Sequence, residues 1–300
     1  MAKDSLSSSS ETVTNASNCI TNISLLQVIS KIYQSLSNSP IISIIFLSTY
    51  IFFLLLLPIS ALLMILLTNN WDIIIERAFD PIAISAYILT LKMAFFAAFI
   101  NTIFGFIITW VLTRYQFRGK KYLDAAVDLP FALPTSVAGL TLTTVYGEQG
   151  WIGNFLHKLD IQIVFTQFGV LLAMIFVSFP FVIRTLQPVL QEIELSLEEA
   201  AWSLGANSWQ TFYKIILPSL WPAIITGFTL SFSRALGEFG SIVMISSNLP
   251  LKDLVASVLI YQSLEQYDYL GASIIGIVIL FIALITLLLI NTVQSLKLNY

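Results

Sequence analysis

The sequence predicts an all-α polytopic membrane protein with six transmembrane helices. Hydrophobic residues make up 57% of its 300 residues and charged residues only 10%. A soluble globular chain carries about 25% charged residues to hydrate its surface. Mean hydropathy is +0.87. Six apolar stretches reach the length of about 20 residues that a helix needs to cross a hydrocarbon core. A lone soluble domain and intrinsic disorder are excluded. Fourteen basic residues against 17 acidic ones leave no broad basic surface, so no nucleic-acid partner is expected. The single Cys19 and single His157 exclude a disulfide framework and a Cys/His metal site.

Taken in order, residues 1–40 read as a polar tail marked by Ser5, Ser7 to Ser10, Thr12, Thr14 and Ser17. The tail lacks the basic-then-apolar layout of a cleavable signal peptide. Within it, 20–33 reads either as more flexible tail or as an amphipathic helix on the membrane surface. A transmembrane domain is expected over 41–295, with spans at about 41–67, 88–112, 126–146, 164–183, 222–246 and 269–292. The first carries Pro58, the third Pro130 and Pro134, and the fourth ends near Pro180. Neighbouring helices can satisfy carbonyls freed by proline, so kinks rather than breaks are expected. No period-two alternation recurs, which argues against transmembrane strands.

Basic residues set the orientation. With an even number of spans, one side holds both termini and Lys3, Lys31, Arg114, Arg118, Lys120, Lys121, Arg184, Lys214 and Lys297. The other side holds Arg77, Lys158 and Lys252. Both termini are therefore expected in the cytosol or its equivalent.

The loop at about 184–221 contains Glu199, Ala200 and Ala201, then Gly205, Ile215, Leu217 and Pro218. Ser196 with Glu199 has the form of a capping box, predicting a helix start near Leu197. The two alanines keep that helix narrow on one side. Gly205 stops it in the left-handed conformation, and Asn207-Ser208 starts a second helix through Trp209 and Phe212. Pro218 is expected to separate this second helix from the next span. Two short helices with exposed aromatic residues suit a partner's groove; the plainer alternative is an amphipathic loop resting on headgroups.

This spacing resembles the EAA motif of binding-protein-dependent ABC importer permeases. The resemblance implies a type I importer permease fold and a loop that docks on an ATPase. The chain has no G-x-x-x-x-G-K-[ST] phosphate loop. No cofactor, metal or catalytic residue is expected in it, and ATP would be used by a partner subunit. Three further runs resemble sulfate and molybdate permeases: DLPFALPTSVAGL from Asp128, SFSRALGEFG from Ser231, and FPFVIRTLQPVL from Phe179. The last run, Asp268-Tyr269 and the 291–295 segment fit the CysT-type sulfate/thiosulfate branch. That likeness implies a second permease subunit (CysW-like, or a further copy), two ATP-binding subunits and a soluble sulfate-binding protein. A molybdate or tungstate importer remains the alternative. An ion-coupled secondary transporter is a rival from another class, but it predicts internal repeats that are not found.

Arg234 and Glu238 carry the sharpest local chemistry. An unpaired charge in mid-span costs about 2.5–3.5 kcal/mol or more, and residues four apart on a helix can pair. Two roles stay open: an internal ion pair locking the span, or a positive potential from Arg234 tempered by Glu238 along an anion path. Gly237 and Gly240 would allow close packing beside them. Thr135 and Ser136 could line the path, while Thr141, Thr143 and Thr144 should mostly bond their own helix. Lys92 is expected to snorkel at the outer end of the second span, and Asp128 to pair with the basic loop. Isoleucine outnumbers alanine about two to one, suggesting an A+T-rich genome and a plastid envelope, with a bacterial inner membrane as the alternative.

Overall fold

The computed structural model describes residues 40–298, so the expectations for the polar tail, Cys19, Lys3 and Lys31 fall outside the described residues. The chain divides into one compact unit ending at Met64 and a larger one from Ile65. All described secondary structure is helical: α1 Pro40–Ile51, α2 Leu57–Thr68, α3 Trp71–Ala78, α4 Pro81–Arg114, α5 Lys120–Val127, α6 Leu129–Ala132, α7 Thr135–Tyr146, α8 Gly153–His157, α9 Gln167–Glu192, α10 Leu195–Ser203, α11 Ser208–Thr211, α12 Leu217–Leu236, α13 Gly240–Ile245, α14 Ala256–Glu265 and α15 Tyr269–Leu298. Four stretches are long and apolar enough to cross a membrane: α4, α9, the continuous Ser208–Leu236 helix, and α15 to Thr292. The first expected span is a bent pair, turning by 44° between Leu54 and Leu57.

Three expected spans look different in the fold. The third is not one helix: it is cut at Asp128 and again at Leu133-Pro134, where extended backbone separates α6 from α7. With 12 residues, α7 is about 18 Å long, short of a full crossing. Pro134 here breaks rather than kinks. The fourth span does the opposite, running through Pro180 and Pro188 to Glu192. The fifth ends at Leu236, and a short break leads into α13.

Pro218 does not end a helix either. A five-residue π turn, Phe212–Ile216, precedes Leu217-Pro218, and the Leu217 amide donates to the Phe212 carbonyl. The same device, Phe52–Leu56 followed by Leu57-Pro58, joins α1 to α2. A wider turn leaves room for the proline ring, which would otherwise meet the carbonyl one turn earlier.

The larger unit is built around α4, α9 and α12, which pack on one another. On α4 a stripe of Ala83, Tyr87, Thr90, Ala94, Ala97, Ala98, Asn101, Gly105 and Thr109 is buried at helical spacing. Lipid offers no hydrophobic force between helices, so close approach of small residues does this work. A Cβ on Gly105 would come within 2.8 Å of Val182, and one on Gly227 within 3.3 Å of the same residue. Val182 thus sits where all three helices meet. One turn away, the buried Asn101 amide donates to the Ile175 carbonyl (3.1 Å), Ser178 Oγ (2.9 Å) and Ser231 Oγ (3.3 Å). Through one side chain α4 is tied to both α9 and α12.

Asn101→Ala should cost about 1–2 kcal/mol, since it removes the shared donor and leaves buried acceptors behind. A lowered thermal midpoint of the purified protein in detergent is the expected reading. An unchanged midpoint would remove Asn101 as the tie.

Candidate functional site

Two places on the larger unit carry chemistry. The first is the loop between α9 and α12, which the helix bounds reduce to 193–207 from the expected 184–221. Its helix α10 begins two residues earlier than expected, with Glu194 at the N-cap. Ser196 Oγ donates to the Glu194 carboxylate at 2.8 Å, so the Ser196–Glu199 capping box does not form. The C-terminal expectation holds. Gly205 takes φ +86°, its amide donates to Trp202, and the Ala206 amide donates to Ala201. These two bonds make a Schellman cap, which satisfies the helix's last carbonyls. The next helix opens on a capping box between Asn207 and Gln210, with bonds of 2.8 and 2.9 Å.

The faces of α10 divide the expected residues. Glu199 and Ala200 are exposed, whereas Ala201 is buried beside Glu198. Glu198, which sequence reasoning passed over in favour of its neighbour, lies 2.6 Å from Arg114 at the end of α4. Both side chains are largely covered. The contact is an ion pair without an aligned hydrogen bond. The Arg114 guanidinium also sits 5.7 Å from the Trp110 ring, a cation–π distance. Trp110 and Phe106 in turn pack on Phe212. The loop is therefore pinned at its base, while Leu197, Trp202, Leu204, Trp209 and Tyr213 stand exposed as an apolar ridge. Ile215 and Leu217 are half-buried, and Pro218 is exposed. The i, i+3 spacing of Glu198 and Ala201 was the available signal for the buried face.

A second clamp holds the neighbouring surface. Arg184, which lies on α9 and not in a loop, grips Asp128 with two bonds of 2.8 and 2.7 Å and Asp124 with another of 2.8 Å. Asp128 therefore pairs not with the basic loop, as expected, but with a basic residue of a helix. Partial burial pushes the Asp124 carboxyl up, but hydrogen bonds from Arg184 and Gln187 and the charges of Arg184 and Lys120 outweigh it. Its pKa lies below the ordinary value of 3.8, so its share of the clamp is present above that pH and fades as pH falls further.

The second place is the break in the fifth span. Arg234 Nη1 lies 2.8 Å from Glu238 Oε2, so the expected pair forms. It does not lie on one continuous helix, because α12 stops at Leu236 and Glu238 follows the end. Glu238 is 2% exposed, and its other oxygen accepts from the Ser241 amide and hydroxyl at 2.9 and 2.8 Å. Its carboxylate thereby caps the entry to α13. Arg234 keeps 30% of its side chain exposed, so the cation is partly accessible while the anion is enclosed. A Cβ at Gly240 would collide with Thr135 Oγ1, whereas Gly237 has open space around it. Gly240 alone serves the expected close packing. Thr135 and Ser136, at the start of α7, are thus brought against the break. Thr141, Thr143 and Thr144 donate to carbonyls of their own helix, and Thr143 also to Met244.

Residues 101–297 match the family described as "Binding-protein-dependent transport system inner membrane component", a stretch that contains both places. The chain belongs to that family. Among curated relatives of this permease, "Probable sulfate transport system permease protein cysT" of Chlorella vulgaris is 78% identical over 229 residues, covering 76% of this chain and 86% of the relative. The protein so named in Prototheca wickerhamii is 69% identical over 249 residues, covering 83% and 98%. The CysT-type likeness read from the signature runs agrees with these relatives. In fold the permease is similar to a chain of a bacterial ABC transporter involved in import of the acidic polysaccharide alginate. Their TM-score is 0.72 at 18% identity, over 88% of this chain and 98% of that one. The fold is that of a type I ABC importer permease.

Two predictions follow from the geometry. Arg114→Glu or Glu198→Arg alone places like charges at a covered contact and should cost about 3 kcal/mol, the lower end for breaking a buried pair. Each should expose the 193–207 loop to limited proteolysis, and the exchanged double variant should restore protection. Unchanged protection in both single variants would dismiss the strut. For Arg234 and Glu238, either single glutamine variant leaves a lone charge and should reduce assembly. The double glutamine variant should assemble well but transport more slowly per complex if the partly exposed cation acts on the cargo. Full transport by the double variant would leave the pair a structural role alone.

Proposed function

We propose that this chain is the transmembrane permease subunit of an ATP-driven importer of sulfate, with thiosulfate as a related cargo. The observation that carries the reading is the 78% identity, over three quarters of the chain, to an algal relative named for sulfate transport. The chain itself catalyses no covalent step and holds no nucleotide. Two ATP-binding subunits would sit beneath the 193–207 loop, a second permease subunit would complete the gate, and a soluble binding protein would deliver the anion. The pinned base and exposed ridge of α10 and α11 support that docking role. Closure of the ATPases would push the ridge, and the Arg114–Glu198 contact would pass the displacement to α4 as rigid-body motion.

At the break in span five, Arg234 would lend positive potential to a passing dianion. Its tie to Glu238 would weaken that pull, so the anion is released rather than trapped. Thr135 and Ser136 would add neutral donors. With the broken third span counted as one crossing, the basic-residue distribution supports both termini on the stromal side, and the algal relatives support a plastid envelope.

The test is uptake of labelled sulfate in a host lacking its own sulfate permease, with the partner subunits supplied. Uptake should require an active ATPase and should yield to excess thiosulfate more than to molybdate. Stronger competition by molybdate would reassign the cargo. Uptake by the chain alone, without ATP, would sink the importer reading.

A further inference from the structure

The transport reading leaves Lys92 unused, and its surroundings are specific. It lines a cavity of about 540 Å³ together with Lys252, Gln167, Ser85, Pro81, Ile84, Ile88 and Leu89. No carboxylate lines this space, and neither lysine has an ion-pair partner among the described residues. The nearby Asp253 is fully buried, its oxygens taken by the Ser247 amide and hydroxyl and the Leu249 amide. The loop carrying Lys252 is itself held, since the Gln167 amide donates to the Lys252 carbonyl at 2.7 Å. Two lysines therefore border one partly apolar space that no carboxylate lines.

Position in the membrane narrows the ligand. Arg114, at the coupling-loop end of α4, is 22 residues beyond Lys92 on one unbroken helix. At 1.5 Å per residue that is about 33 Å, close to the thickness of the hydrocarbon core. Lys92 thus lies at the opposite headgroup level. On the same face of α4 towards the core, Phe95, Phe96 and Phe99 are exposed, an apolar track for acyl chains.

We propose that this cavity binds the headgroup of an anionic membrane lipid, with Lys92 and Lys252 on its phosphate oxygens and its chains along the phenylalanine face. The inference needs only that α4 spans a bilayer and is independent of the transported cargo.

The experiment uses the full importer complex, purified in detergent from bilayers of phosphatidylcholine and phosphatidylglycerol. Retained lipid is quantified by mass spectrometry. Wild type should retain phosphatidylglycerol in preference to phosphatidylcholine. Lys92→Gln with Lys252→Gln should lose that preference, by about fivefold for each lysine. Lys252→Gln alone, in a loop, gives the reading if the double variant assembles poorly, and Lys158→Gln serves as an unaffected control. Retention unchanged in Lys252→Gln and in the double variant would overturn the proposal. Displacement of the lipid by millimolar sulfate in the wild type would also overturn it, assigning the cavity to the free oxyanion.

Discussion

The junction of α4, α9 and α12 governs the larger unit. Glycine and alanine let the three backbones approach, and Asn101 supplies the donor that a lipid-filled surrounding cannot provide. Both candidate places hang from this junction. The 193–207 loop connects α9 to α12, the break that holds Arg234 and Glu238 follows α12, and the loop's anchor is the end of α4. A loosened junction would let all three move independently, and a push on the loop would then be dissipated.

That dependence gives the Arg114–Glu198 contact its meaning. A loop joined to its domain only through its own ends would flex when pushed. Here a covalent path through α9 and α12 is supplemented by a charge contact to the third helix of the junction. The aromatic packing of Phe106, Trp110 and Phe212 stiffens the same corner. The exposed ridge is thereby carried on a fixed base.

Local chemistry in the sequence carried into the structure at most helix ends, though not at Ser196, whose hydroxyl turns to Glu194. The Gly205 cap and the Asn207 start depend on residues within one turn, so their prediction needed no tertiary knowledge. The Arg234–Glu238 pair formed for a similar reason, since isolated charges in a span must find each other. Continuity of helices was harder to read. Pro134 breaks its span, Pro180 and Pro188 leave theirs intact, and Pro218 is absorbed by a π turn. The residue type is the same in each case, and the outcome depends on what the freed carbonyl meets. Glu198 was missed because two adjacent glutamates look equivalent until a neighbouring helix decides which of them it faces.

The two π turns have a geometric corollary. Each holds one residue more than an α-helical path would need, and one residue turns a helix by about 100°. The extra residue in Phe212–Ile216 therefore sets the compass bearing of everything before it relative to α12. Had the chain kept an ordinary helix there, the Trp209 and Leu204 ridge would point roughly a quarter-turn away, towards a flank of the bundle. A single inserted residue thus aims the whole 193–207 loop.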